Sequence, residues 1–286
     1  MNTLEALWIT MRPYRVWRLG ILLIPFLISG NLLNIVALLK LSIGAFILFL
    51  LTGAINIIDD ITDKEKDKND IIKKAMPVAS GSLSIEKAEF SAGLLLICSF
   101  VSAFFLDNWF GVACVAYLAI ELLYHFQLKK FEIIDAITIS MESCALLFAG
   151  MALVGMISLS WLFVFIIALS IFLVFSEQKR RLLLSSEGAY STLPKYSDQV
   201  LEQLVSIMAC FALVIYSLFS LTSLQSIGNN MAYTLPFVIF AVLRIVLLTN
   251  DKSKDLPLER MLIKDKMTWI VFVLWVIMLA TLNIAI

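Results

Sequence analysis

The chain of 286 residues is 61% hydrophobic and only 15% charged, which excludes an ordinary soluble globular domain and is typical of a membrane protein. Its 22 Lys and Arg balance its 22 Asp and Glu, so the net charge of zero gives no indication of a nucleic-acid partner. The four cysteines lie inside apolar segments without the spacing of a zinc site or a disulfide framework, and we interpret them as packing residues.

Apolar segments long enough to cross a bilayer recur along the chain, since a helix needs about 20 mostly apolar residues to span the hydrocarbon. We count nine, which predict an all-α, polytopic membrane protein: a nine-transmembrane-helix bundle that forms a single domain over residues 1–286. In chain order the predicted spans are 19–38, 41–58, 87–106, 109–127, 133–156, 159–176, 200–222, 231–249 and 267–285.

Positive charges fall almost entirely on alternate connections between these predicted spans. Of the Lys and Arg residues, only Lys40 and Arg244 lie elsewhere. Positively charged connections stay on the cytoplasmic side of a membrane. The pattern therefore predicts a multi-pass protein of the inner (plasma) membrane with a cytoplasmic N-terminus and an external C-terminus. It also places the polar chemistry at the cytoplasmic face.

Four aspartates follow the second predicted span. If the helix continues, Asp59, Asp63 and Asp67 stack at i, i+4 and i+8, and Asp60 lies on nearly the same face. Like charges at this spacing repel one another, and Mg²⁺, which binds carboxylates together with phosphate oxygens, would neutralise them. The alternative is a solvated helix end whose acids are balanced by the interleaved lysines.

Basic residues cluster in the cytoplasmic loops. Each cluster could bind phosphate oxygens or serve only as a positive-inside anchor, and taken singly the anchor is favoured. Facing one acidic site together, they have the charge layout needed for a metal-bridged polyanion. The clusters include Lys73 with Lys74, Lys129 with Lys130, and Lys179 with Arg180 and Arg181.

Three other ionisable residues stand near or inside the predicted spans. His125 is the one histidine of the chain, and we interpret it as structural. Glu121 and Glu142 lie within spans, where each could line a polar cavity or take part in a hydrogen-bonded pair between helices.

Taken together, these residues resemble the UbiA superfamily of intramembrane transferases, nine-helix bundles in which an Asp-rich motif binds Mg²⁺ and a diphosphate. The segment from Asp59 to Gly81 is most similar to the decaprenyl-phosphate phosphoribosyltransferase branch, with the same acids and a matching basic pair. The similarity covers nearly the whole chain. It extends to Tyr124, Lys129, Asp135, Ala149, Gly150, Lys179, Arg180, Arg181, Leu193, Pro194, Tyr196 and Glu259.

The loop after the sixth predicted span separates two branches of this superfamily. Ordinary prenyltransferases carry a second Asp-rich motif there, whereas this chain has the basic run 179–181, which favours the phosphoribosyl branch. Departures from that branch leave the metal site similar but change part of the substrate shell. They are Asp59 in place of Asn, Met76 and Leu146 in place of Arg, and Leu183 in place of Glu. The sugar, the lipid and the retention of activity therefore stay open.

The resemblance implies Mg²⁺-dependent transfer of a phosphoribosyl or related group to a polyprenyl phosphate, a reaction of the cell envelope. The donor would be diphosphate-activated, such as phosphoribosyl diphosphate. Asp60, Asp63 and Asp67 are expected to be catalytic and, with Asp59, to hold Mg²⁺. The expected substrate-binding residues are Arg18, Lys73, Lys74, Tyr124, Lys129, Lys130, Lys179, Arg180 and Tyr196.

Two alternatives remain beside this expectation. One is Mg²⁺-dependent prenyl transfer from a prenyl diphosphate to an aromatic or lipid acceptor, and the other is a non-catalytic membrane protein that binds anionic lipid. The expected partners are these substrates and the membrane lipids, without nucleic acid, and a homo-oligomer is left open.

Overall fold

The computed structural model of the chain describes residues 3–29, 32, 34–68, 76–126, 128, 131–156, 160–185, 196–222, 228–251 and 256–284. These residues are helical without strands, which confirms the all-α prediction. Contacts divide the chain into two compact units. Unit one comprises Met1–Phe26, Asn34–Leu128 and Ala145–Ile157, and unit two comprises Leu27–Leu33, Lys129–Cys144 and Ser158–Ile286. The single-domain organisation stays a prediction.

The N-terminal region differs from its predicted form. Helix α1 (Thr3–Thr10) is followed by a 3-10 segment (Pro13–Leu23) and by α2 (Ile24–Ile28), and the long helix α3 begins at Ile35. A continuous first span over 19–38 is therefore wrong, because an apolar run does not tell where the backbone breaks. Asn34 marks that break: its side chain accepts the amides of Val36 and Ala37 at 3.0 and 3.2 Å and caps α3.

Helix α3 (Ile35–Thr62) is the longest element of unit one and carries the aspartates at its end. Its 28 residues correspond to about 42 Å of helix. The helix ends at Thr62, and after Asp63 a short helix α4 (Lys64–Asp67) follows, so the continuous helix considered for the aspartates is interrupted at Asp63. The amides of Asp63 and Asp67 still donate to the carbonyls four residues earlier, each at 2.9 Å. The four aspartates therefore stay on a nearly helical path.

The rest of unit one packs against α3. It consists of α5 (Ile85–Leu106), α6 (Asn108–Phe126) and the second half of α7 (Ile134–Val154). One apolar core joins α1, α3 and α5 and contains Ala6, Ile57, Val78, Leu83, Ala88 and Ala92. This core holds the N-terminal region beside the aspartate-bearing end of α3.

Unit two contains the first half of α7 and the elements that follow it. These are α8 (Ser160–Ser185), α9 (Asp198–Thr222), a second 3-10 segment (Gly228–Thr234), α10 (Leu235–Asn250), α11 (Leu258–Lys264) and α12 (Lys266–Ile284). Its core is built around Phe172, Phe175, Leu201 and Val205. Asp265 receives two hydrogen bonds from Arg244 on α10 and also accepts the Thr268 amide at the start of α12.

Six of the described helices are long and apolar enough to cross a membrane, or seven if α11 and α12, bent by 67°, form one span. The chain is thus built as a multi-pass membrane protein. Within the described residues the predicted count of nine spans is not confirmed, partly because the apolar stretch Arg18–Ile28 is short. The orientation of the termini stays a prediction.

Candidate active site

Two polar stripes, one on α3 and one on α6, form the candidate active site of unit one. Residues three or four apart on a helix share a face, so each stripe presents a continuous polar edge inside an otherwise apolar helix. The stripe of α3 is Thr52, Asn56, Asp59 and Asp60, continued by Asp63 directly after the helix, and that of α6 is Tyr117, Glu121 and His125. Contacts between the stripes define the site.

His125 joins the two stripes near the C-terminal ends of their helices. Its Nδ1 lies 2.6 Å from Oδ1 of Asp59, and its Nε2 lies 3.8 Å from Oδ2 of Asp63. The imidazole is only 10% exposed, so two carboxylates converge on one largely enclosed ring. His125 therefore lies within the acidic site, a location that was not predicted from the sequence, and its interpretation as a structural histidine stays a prediction.

Arg12 neutralises the most deeply buried of the four aspartates. Its Nη2 donates to Oδ1 of Asp60 at 2.5 Å, and the two side chains are only 9% and 3% exposed. The amide of Asn56 donates to the carbonyl of Met11 at 3.1 Å and so fixes the backbone next to Arg12. Among the described residues, the buried Nε of Arg12 has no hydrogen-bond partner. The ion pair therefore holds the guanidinium in place, while its Nε makes no hydrogen bond within the described part of the chain.

A small cavity of about 40 Å³ lies next to this ion pair, within unit one. Its polar lining consists of Arg12, Arg18, Thr52, Asn56, Tyr117 and Glu121. Met11, Leu19 and Phe49 supply an apolar wall. The two arginines come from the N-terminal region, whereas the oxygen-bearing side chains come from α3 and α6. The cavity thus combines a cationic side with a side of hydrogen-bond acceptors.

The donor set suits Mg²⁺ in its chemistry. The carboxylates of Asp59 and Asp63 both face the imidazole ring of His125. Asp67, one turn further along, is buried, with an exposed fraction of 5%. Carboxylates are the protein ligands that Mg²⁺ prefers. In the part of the chain that the structure describes, however, three or more such side chains do not come together as a ready metal site. Asp60 is paired with Arg12, and its predicted role as a ligand stays a prediction.

The basic run of α8 lies in unit two and is mostly committed to protein contacts. Lys179 is 4% exposed, and its Nζ lies 3.5 Å from a carboxylate oxygen of Glu202. Arg180 is fully buried and donates from Nε to the Leu256 carbonyl at 2.9 Å and from Nη1 to the Asp251 carbonyl. Both residues fasten α8 to neighbouring segments of unit two. Their binding of a lipid phosphate stays a prediction.

The tyrosines and Asp135 occupy different surroundings. In unit two, Tyr196 accepts the Ile133 amide at 2.5 Å, and burial raises the pKa of its phenol. Asp135 accepts the side-chain amide of Gln178 at 3.1 Å. In unit one, Tyr124 is half-buried on α6 and directly precedes His125 in the sequence. The predicted residues Lys73, Lys74, Lys129 and Lys130 lie outside the described residues.

Comparison with known proteins places this geometry in context. The sequence matches the model of a family described as the UbiA prenyltransferase family over residues 20–272. It is 26% identical over 251 residues to the decaprenyl-phosphate phosphoribosyltransferase of Mycolicibacterium smegmatis, a match that covers 83% of this chain and 78% of that relative. It is also 26% identical over 172 residues, 60% of this chain, to the uncharacterized protein y4nM of Sinorhizobium fredii, and spans only 33% of that relative's length.

Solved structures share the fold. A UbiA homolog from Archaeoglobus fulgidus bound to GPP and Mg²⁺ is similar with a TM-score of 0.73 at 14% identity, over 97% of this chain and 99% of that one. At this level of identity the similarity concerns the fold alone.

Proposed function

The chain belongs to the UbiA prenyltransferase family, and from this premise we propose that it transfers a phosphoribosyl group from phosphoribosyl diphosphate to a polyprenyl phosphate. The observation that carries the proposal is the cavity beside Asp60, where Arg12 and Arg18 meet polar side chains of α3 and α6. Arginines suit phosphate oxygens, because a guanidinium presents several donors in a fixed plane. The similarity to a decaprenyl-phosphate phosphoribosyltransferase supports the same choice of substrates.

The acidic end of α3 is proposed to receive the diphosphate of the donor. Asp59, Asp63 and Asp67 would hold Mg²⁺, which when bound neutralises the charge of the leaving diphosphate. His125 positions Asp59 and Asp63 through its two ring nitrogens. Asp60 is held against Arg12, and its role as a metal ligand stays a prediction.

The chemical step itself does not require a general base from the protein. The bond between the anomeric carbon and the diphosphate oxygen breaks, a lipid phosphate oxygen bonds to that carbon, and the diphosphate leaves with the electron pair. The nucleophile is already an oxyanion, so no proton has to be removed from it. Arg12 and Arg18 would orient the anionic substrates and stabilise the charge that moves between them.

Prenyl transfer is the second candidate, favoured by the family to which the chain belongs. A prenyl diphosphate would use the same aspartates, but its hydrocarbon chain would become the transferred group. The two candidates therefore differ in which part of the donor enters the lipid product.

The test offers the purified full chain, in detergent with polyprenyl phosphate, either labelled phosphoribosyl diphosphate or labelled prenyl diphosphate, with and without Mg²⁺. We expect ribosyl label in the lipid only when Mg²⁺ is present. The double variant Asp59→Asn, Asp63→Asn should lower this transfer by about 100-fold or more. The matched control, Glu86→Gln on the exposed first turn of α5, should keep it. Prenyl label in the lipid would establish the second candidate, and no label from either donor would exclude the transfer of either group to a polyprenyl phosphate.

A further inference from the structure

Helices α11 and α12 of unit two meet at a sharp corner that exposes positive charge and apolar side chains together. The two helices are bent by 67°, and Asp265 lies at the bend. The exposed polar and aromatic residues of this basic corner are Arg260, Lys264, Lys266 and Trp269. We propose that the basic corner binds the headgroup of an anionic phospholipid in the adjoining leaflet of the membrane. The proposal does not depend on the transfer reaction.

The bend is fixed by hydrogen bonds on both of its sides. Asp265 accepts two hydrogen bonds from Arg244 on α10, at 3.0 and 2.6 Å, and also accepts the amide and the hydroxyl of Thr268 at 3.0 and 2.8 Å. Across the bend, Nε1 of Trp269 donates to the carbonyl of Ile263 at 2.9 Å. A site whose parts are already held in place loses little conformational freedom when it binds a ligand.

The charge of the basic corner is an excess of positive charge. The carboxylate of Asp265 is buried and paired with Arg244, so it does not offset the lysines on either side of it. Over the described residues 256–284 the other acid is Glu259, which is half-buried. The exposed cations are Arg260, Lys264 and Lys266. Exposed basic side chains beside a membrane attract the phosphate groups of anionic lipids.

The apolar residues around the bend indicate that the basic corner lies at the membrane surface. Beyond the bend, α12 exposes Ile270 and Val273, which suits contact with lipid hydrocarbon. Helix α11 packs against α10 through the buried Leu258 and Met261, and it exposes charged side chains that hydrocarbon would exclude. Trp269 stands between these regions, and tryptophan is enriched at the boundary between hydrocarbon and headgroups. The two lysines therefore lie at the level of the headgroups.

Two features favour an anionic phospholipid over other phosphate-bearing ligands. A phosphatidylcholine headgroup would bring its own positive charge toward the lysines, whereas phosphatidylglycerol offers a phosphate without a cation. A free phosphate ion, in turn, would not use the exposed apolar side chains beside the lysines. These are Ile263 and Met267, with exposed fractions of 50% and 54%, and they can contact the acyl chains of a lipid.

The test measures how strongly brominated lipids quench the fluorescence of Trp269 in vesicles that hold the full chain. The vesicles are phosphatidylcholine with a minor fraction of brominated phosphatidylglycerol or of brominated phosphatidylcholine. The quenching that remains in Trp269→Phe is subtracted, so that only the basic corner is observed. We expect phosphatidylglycerol to be preferred over phosphatidylcholine by about tenfold or more, since each basic side chain contributes roughly a factor of five.

Substitutions of single lysines assign this preference to the basic corner. Lys264→Gln and Lys266→Gln should each lower the preference by about three- to fivefold, because each removes one exposed charge. The matched control is Lys87→Gln, which removes an exposed lysine from the first turn of α5 in unit one and should leave the preference unchanged.

Salt provides a second measurement that needs no variant. Because exposed charges are screened, raising the salt concentration from about 0.1 M to about 1 M should bring the preference of the wild type close to one. Equal quenching by the two lipids, a preference that salt does not change, or equal losses in Lys87→Gln and in the variants of the basic corner would overturn the proposal. Reversal of the quenching by soluble glycerol phosphate would assign the site to a free phosphate and would overturn it as well.

Discussion

At the scale of single residues, Arg12 and Asp60 form a buried pair in which each charge depends on the other. The two side chains are 9% and 3% exposed and lie 2.5 Å apart, so water screens neither. Such a pair adds little stability by comparison with an apolar pair, but the loss of one partner leaves an uncompensated buried charge.

This dependence gives a prediction for stability. Arg12→Met should lower the free energy of unfolding by about 3–5 kcal/mol, since Asp60 then loses the guanidinium that balances its charge. The double variant Arg12→Met, Asp60→Asn should recover most of that loss. The measurement is denaturant unfolding in mild detergent, arranged as a double-mutant cycle. Strictly additive effects of the two substitutions would contradict the pairing.

The aspartates could be predicted from the sequence, whereas the arginine that pairs with Asp60 could not. A run of four acids at helical spacing after an apolar span is a local pattern. Arg12, by contrast, is 48 residues away from Asp60, and only tertiary packing brings them together. His125 did leave a local signal, because Tyr117, Glu121 and His125 recur every fourth residue on one face of α6. A polar stripe inside an apolar helix indicates a site more strongly than any of its members taken singly.

At the scale of helices, Gly150 allows the N-terminal region to approach α7 closely. A Cβ at this position would lie 2.4 Å from the carbonyl oxygen of Leu22, a backbone atom that cannot move without the chain around it. The glycine is therefore required by packing. Because Leu22 belongs to the same 3-10 segment as Arg18, this contact also bears on the cavity.

Gly150→Ala should consequently lower the free energy of unfolding by about 1–3 kcal/mol, because the added methyl group overpacks the contact. Gly93→Ala is the matched control on α5: nothing lies within 4 Å of the position that its new methyl group would take, and alanine favours a helix. The control should be neutral or slightly stabilising. Equal effects of the two substitutions in the same unfolding assay would show that the close approach to Leu22 does not matter.

The predicted helices agree best with the structure where one long apolar run forms one unbroken helix. The second predicted span lies inside α3, and the third nearly coincides with α5. The first predicted span failed because hydropathy measures how apolar a segment is and not where it bends. Asn34, a preferred N-cap residue, was the available signal for the true start of α3.

At the scale of the whole molecule, the number of spans determines on which side the C-terminus lies. Nine spans put it outside if the N-terminus is cytoplasmic, whereas an even number returns it to the cytoplasm. The described helices account for six spans, or seven with the bent pair α11 and α12. The orientation therefore depends on how the apolar stretch Arg18–Ile28 and helix α6 lie in the membrane.

Reporter fusions at the C-terminus decide this point. We expect an alkaline phosphatase fused after residue 286 to be active, because that enzyme works only outside the cytoplasm, and a fluorescent protein at the same point to stay dark. The matched fusion point is residue 128, after α6 on the predicted cytoplasmic side, where the two readouts should be reversed. A fluorescent C-terminal fusion would contradict the nine-span topology.

The backbone of Arg12 carries a further consequence. Its backbone has the left-handed conformation, with φ 52° and ψ 59°, and the next residue is a proline. Both features are unfavourable for an arginine, so other contacts have to hold this conformation. The bond from Asn56 and the charge of Asp60 supply that constraint. A ligand that drew Asp60 away from Arg12 would remove part of this constraint, so the strained backbone at Arg12 could relax when its guanidinium is released. Ligand binding among the aspartates and a change of the N-terminal backbone would then occur together.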